Sequence, residues 1–83
     1  MLHEYRKKTT IKAEQFMGTN KQINDYHICW DIGRRHHHRK RWWLPTKEGN
    51  MKLQNGDWIA TGIDGEHWAI ADSIFRRTYE RCD

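Results

Sequence analysis

The chain has 83 residues, 36% of them hydrophobic and 31% charged, which suffices for one domain spanning 1–83 whose thin core buries about 60–65% of the surface the unfolded chain exposes. That size leaves little room for an enzyme cleft, no apolar run approaches the length of a membrane span, and residues 1–5 open without the apolar stretch of a secretory signal. Within the net charge of +4, Arg34, Arg35, Arg39, Lys40 and Arg41 supply five positive charges in eight residues, so the rest of the chain is near neutral.

Taken in chain order, the β-branched, alternating stretch from Thr9 to Phe16 predicts a first strand, with Ile11 and Ala13 on one side and Lys12 and Glu14 on the other. Gly18 then precedes Thr19-Asn20-Lys21-Gln22, a capping box in which the Thr19 hydroxyl takes a backbone N–H and Gln22 reaches back. A helix is expected from about Asn20 to Ile32, with Ile23, Tyr26 and Trp30 forming its apolar stripe and Gly33 its stop. A basic loop at about 33–41 follows. Trp42-Trp43-Leu44 reads as a second strand that Pro45 marks as an edge or an end.

Lys47-Glu48-Gly49 makes a turn, and the alternation around Met51 and Leu53, the Asn55-Gly56 dipeptide and the strand-like Asp57–Thr61 predict a hairpin. Asp64-Gly65 turns the chain again before a strand over Glu66–Ala71 that puts Trp68 and Ile70 on one face. Asp72 is positioned to cap a helical turn through Arg76, and Thr78-Tyr79-Glu80 to return as a last strand. The expected fold class is α+β: a small antiparallel meander with one helix in the N-terminal half packed on it and a short C-terminal helical turn. Phe16, Trp30, Trp58, Ile59, Trp68, Ile70, Phe75 and Tyr79 are the expected core.

In the C-terminal half, Gly49-x-Met51, Gly56-Asp57-Trp58-Ile59, Gly62, Gly65-Glu66 and Ile74-Phe75-x-x-Thr78-Tyr79-Glu80 resemble a family of small tailed-phage and prophage proteins without an established function. The opening Tyr5-Arg6-Lys7-Lys8 and Ala13-x-Gln15-Phe16 are similar to the same family's start. Thr9 stands where that family tends to have proline, and Ala69 and Ala71 fall where prolines are common. The resemblance covers about half of the chain and carries no catalytic site; it implies a phage setting and the host cytoplasm. The stretch from Tyr26 to Trp43, which holds the basic run, has no counterpart in the pattern. The shared residues are therefore expected to build the fold, and the run to recruit a partner particular to this chain.

The run Arg34-Arg35-His36-His37-His38-Arg39-Lys40-Arg41-Trp42-Trp43 joins guanidinium groups, which match phosphate and carboxylate geometry, to rings on which a base or an apolar surface can rest. All ten residues are the candidate partner- or nucleic-acid-binding site. Because consecutive strand residues face opposite ways, only one of Trp42 and Trp43 is expected to be buried. The same alternation keeps His36, His37 and His38 from converging on one ion, so no metal is expected. Cys29 and Cys82 form no metal-type pair and no disulfide framework; reduced thiols are expected, with Cys29 partly buried and His27 packed beside the helix.

Asp57, Glu66 and His67 are the only residues that suggest acid–base chemistry, and turn chemistry accounts for them, so no catalysis and no cofactor are expected. Three functions follow from this reading. The first is a phage accessory protein that inhibits or redirects a host machine, such as a defence or nucleic-acid-processing complex, by binding an acidic surface of a host protein or nucleoprotein. The second is direct, non-specific binding of DNA or RNA, and the third is a pocket for a small anionic nucleotide. No membrane association is expected, and an edge strand offers a way to pair two copies.

Overall fold

The computed structural model describes residues 1–32 and 40–83. In chain order the elements are β1 (Lys12–Gln15), α1 (Asn20–Tyr26), β2 (Cys29–Ile32), β3 (Lys40–Thr46), β4 (Gly49–Leu53), β5 (Trp58–Thr61), β6 (His67–Ile70) and α2 (Asp72–Thr78). The fold class is α+β, as expected. The strands form two antiparallel sheets, β1-β5-β6 and β2-β3-β4, in place of the single expected meander.

The two sheets part at Asn55-Gly56. Gly56 has φ of 95° while Asn55 stays at negative φ, and the Asp57 N–H closes on the Gln54 carbonyl at 3.0 Å. That combination fits a type II turn, not the doubly left-handed turn that folds a two-residue hairpin. The chain therefore passes from β4 in one sheet to β5 in the other.

The helix expected over 20–32 stops at Tyr26. Thr19 caps its start, accepting from the Gln22 N–H, and His27 closes it in the left-handed conformation at φ 56°, ψ 39°. The Ile28 N–H then reaches the Ile23 carbonyl at 2.9 Å, the six-to-one bond of a Schellman end. Ile28, off the Ile23/Tyr26 stripe, is thereby buried, and Cys29 onward becomes a strand. Trp30 leaves the expected core for a surface where it is 50% exposed. His27 is an exposed cap and Cys29 an exposed thiol, neither packed as anticipated.

Phe16, Ile28, Leu44, Leu53 and Ile59 make up the buried centre between the sheets, with Ile23, Tyr26, Trp42 and Ala69 against it. Leu44 and Leu53 come from the inward positions of the β3–β4 hairpin, where Trp42 lies opposite Leu53 and Leu44 opposite Met51. Pro45 sits in β3 beyond the stretch paired with β2, where its missing N–H costs no ladder bond. The opposite face of the β1-β5-β6 sheet is covered by α2. Trp58, Phe75 and Tyr79 stack in series, with centroids 4.1 and 5.1 Å apart.

Asp72 does not cap α2; Ala71 holds that place without a side-chain bond. Its carboxylate Oδ1 instead accepts from Trp58 Nε1 at 2.8 Å and Arg76 Nε at 2.8 Å, and lies 3.4 Å from Gln15 Nε2. Thr78 belongs to α2 and Tyr79 terminates it, so the last strand expected at 78–80 is absent among the described residues. No helix among the described residues is long and apolar enough to cross a membrane.

Candidate functional site

Strands β2 and β3 pair within the β2-β3-β4 sheet, and their far end, which β4 does not reach, is a two-stranded ribbon that leads into the basic run. Trp30 lies opposite Trp42 and Ile32 opposite Lys40 on one face; Cys29 lies opposite Trp43 and Asp31 opposite Arg41 on the other. Residues opposed in an antiparallel pair share a face, so each side of the ribbon carries its own set of chemical groups.

On the first face the Lys40 ammonium stands 4.5 Å from the Trp30 ring centre and 5.5 Å from that of Trp42. Trp42 also meets Phe16 edge to face at 5.5 Å, and so connects the ribbon to the buried centre. Past it the face opens: Trp30 and Ile32 are about half exposed, at 50% and 49%. A cation over two rings, flanked by an exposed aliphatic side chain, is a ready anchor for a partner that offers both carboxylate and apolar surface.

On the second face Arg41 grips Asp31 through a fork, Nε to Oδ1 at 2.8 Å and Nη2 to Oδ2 at 2.9 Å. The Arg41 hydrogen bonds hold the Asp31 carboxyl below the usual carboxylate range. The Arg41 guanidinium also lies 5.7 Å from the Trp43 ring centre. Its charge is thus already matched on this face, and the Asp31 carboxylate would oppose a phosphate approaching there.

Of the ten residues singled out in the sequence, Lys40, Arg41, Trp42 and Trp43 are brought together on this ribbon. Arg34, Arg35, His36, His37, His38 and Arg39 lie outside the described residues. Trp42 and Trp43 are both half-buried, in place of one buried and one exposed: Trp42 inserts toward Phe16, while the outer face is covered only in part by Arg41. Sequence reasoning missed Trp30, Asp31 and Ile32 because it placed them on a helix; read as a strand, the same residues alternate and pair with Lys40–Trp42.

The three acid–base candidates do not converge. Asp57 precedes β5 and accepts the Gln54 N–H on Oδ2 at 2.9 Å, whereas Glu66 and His67 lie past its other end, about 13 Å along the strand. Glu66 folds over Gly62, where any Cβ would collide with its carboxylate, and its Oε2 has no hydrogen bond among the described residues, with Lys47 Nζ 3.9 Å away. His67 Nδ1 is 2.9 Å from Thr61 Oγ1, and its ring meets Tyr26 edge to face. Among the described residues no cluster of three His, Cys, Asp or Glu side chains is placed to hold a metal ion.

A groove of about 710 Å³ lies beside β1, with Trp58, Phe75, Tyr79 and Lys7 in its lining. No family model, no curated protein and no solved structure matches this chain.

Proposed function

We propose that this chain is a non-enzymatic phage accessory protein of the host cytoplasm that binds an acidic surface of a host protein or nucleoprotein, and so inhibits or redirects it. The observation that carries the reading is the exposed Trp30–Lys40–Trp42 cluster on a ribbon that runs directly into the basic segment. The phage setting rests on the sequence resemblance alone. Of the two acidic partner classes, a protein surface suits the ribbon better than bare nucleic acid. A half-exposed Trp and Ile on the same face as Lys40 ask for apolar cover, which a protein surface offers and a phosphate backbone does not.

Capture from infected-host lysate tests this, with the protein as bait and nuclease present or absent. The expected result is capture that survives nuclease and is lost when Trp30 and Lys40 are replaced by Ser. Binding to free duplex or single strand at physiological salt, with a steep loss as salt rises, would replace this reading with direct nucleic-acid binding. The aromatic groove, with Lys7 in its lining, favours a second reading, capture of a small anionic nucleotide. A rise in melting temperature with millimolar nucleotide would support it.

A further inference from the structure

Among the described residues strand β1 lies at the edge of its sheet, with β5 as its one neighbour in the strand order. The Phe16 N–H donates to the Asp57 carbonyl at 2.7 Å, and the Phe16 carbonyl accepts from the Gly56 N–H at 2.9 Å, so the backbone groups of Phe16 face β5. By the two-residue period of a strand, Lys12 and Glu14 face β5 as well, and Ile11, Ala13 and Gln15 present their N–H and C=O groups outward. The Gln22 side chain covers one end of this edge. Its Nε2 donates to the Gln15 carbonyl at 2.7 Å and its Oε1 accepts the Met17 N–H at 2.8 Å, as the peptide group of a neighbouring strand would. From Ile11 to the Gln15 N–H the edge is open among the described residues.

Natural proteins guard such edges, and this one carries a particular pattern: Lys12-Ala13-Glu14, with opposite charges on either side of a small residue. We propose that the open edge of β1 is a self-association site for a second copy of this chain, paired antiparallel with Ala13 opposite Ala13 of that copy. In this register the two Ala13 residues exchange a pair of N–H···O bonds, and each Gln15 N–H reaches the Ile11 carbonyl opposite. Lys12 of each copy then lies across from Glu14 of the other, on one face of the joined sheet. Lys12 makes no ion pair among the described residues, and Glu14, accepting from Tyr26 and Gln22, keeps oxygen lone pairs for it.

Shifting the register two residues toward the N-terminus sets Lys12 against Lys12, and shifting it toward the C-terminus sets Glu14 against Glu14, so charge selects the Ala13-centred pairing. On the opposite face Ile11 of the second copy lies across from Gln15, itself the register partner of Trp58. The result is one six-stranded sheet.

Sedimentation velocity on the full chain tests this. The parent is expected to show a concentration-dependent monomer–dimer equilibrium. Lys12→Glu alone and Glu14→Lys alone should each weaken self-association by about tenfold or more, because each sets like charges opposite one another. An equimolar mixture of the two variants should restore the dimer, since both cross-strand pairs are then of opposite sign.

Glu14→Lys also removes the acceptor of Tyr26 and Gln22, so Ala13→Pro supplies an independent arm. It deletes only an outward N–H and is tolerated on an edge strand, and it should leave the far-UV dichroism intact and the protein monomeric. A parent that stays monomeric up to about 1 mM overturns the proposal. So does a dimer that survives both Lys12→Glu and Ala13→Pro.

Discussion

Trp58 and Trp30 sit on strands of different sheets, and their surroundings differ in kind. Trp58 stacks on Phe75 at 4.1 Å with nearly parallel rings and donates its indole N–H to Asp72. Trp30 has half its surface in solvent, with the Lys40 ammonium over its ring. The body of the molecule pairs most of its buried polar groups internally: the Gln22 amide, buried at 7% exposure, is bonded to Glu14, Gln15 and Met17, and Glu66 Oε2 is the exception among the described residues. The β2–β3 ribbon leaves apolar surface uncovered. A large aromatic ring left half uncovered beside a cation and an exposed Ile is surface that a partner can use.

Substitutions in the body should break stability without touching the partner's contact. Phe16, fully buried between the sheets, should cost about 3–5 kcal/mol on change to Ala, a large part of the stability of a domain this size; chemical denaturation measures it. Phe75→Ala is expected to cost somewhat less, about 2–4 kcal/mol, because the ring is only half-buried though stacked on both sides. An unchanged melting temperature would remove Phe75 from the packing of α2.

Gln22→Leu keeps the volume but strands the Gln15 carbonyl and the Met17 N–H, for about 1–3 kcal/mol. At the small end, Trp30→Ala should change the unfolding free energy by no more than about 0.5 kcal/mol. A larger loss would mean that the ribbon helps to hold the fold.

Acid sharpens the same contrast. The hydrogen bonds from Tyr26 and Gln22 hold the Glu14 carboxyl below its ordinary value, and those from Trp58 and Arg76 do the same for Asp72. A depressed folded-state value stabilises the fold above the unfolded carboxylate range near pH ~4, and that contribution is lost as pH falls through the folded value. Melting temperature should therefore drop as pH is lowered from about 5 to 3, and Glu14→Gln should flatten part of that drop. Asp31, also held low but at the exposed ribbon, should leave the profile nearly unchanged when replaced by Asn.

The α+β class, the first strand, the helix start at Thr19 and the turns at Gly49 and Gly65 were all legible in the sequence, because each rests on short-range chemistry: a cap, an alternation, a glycine at positive φ. The end of α1 was not. The stop is His27 in the left-handed conformation, a residue that visits that region far less readily than glycine, and Gly33 offered a more familiar stop six residues on. The off-stripe Ile28 and the aromatic and β-branched run after it were the signals available.

The partition into two sheets was equally hidden. Asn55-Gly56 serves a type II turn as well as a hairpin turn, and only the pairing of β5 with β1 across some forty residues decides between them. Of the candidate site, the cations and Trp42–Trp43 could be read directly. Trp30 and Ile32 became part of it only once β2 was seen to pair with β3.

The division between a self-contained body and an unsatisfied ribbon is tested most directly by partner capture with the Trp30→Ser/Lys40→Ser double variant, at a temperature where it and the parent are equally folded. Capture lost from an intact fold is the predicted result. Capture retained at the parent's level would show that the ribbon's exposed cluster is not the binding surface.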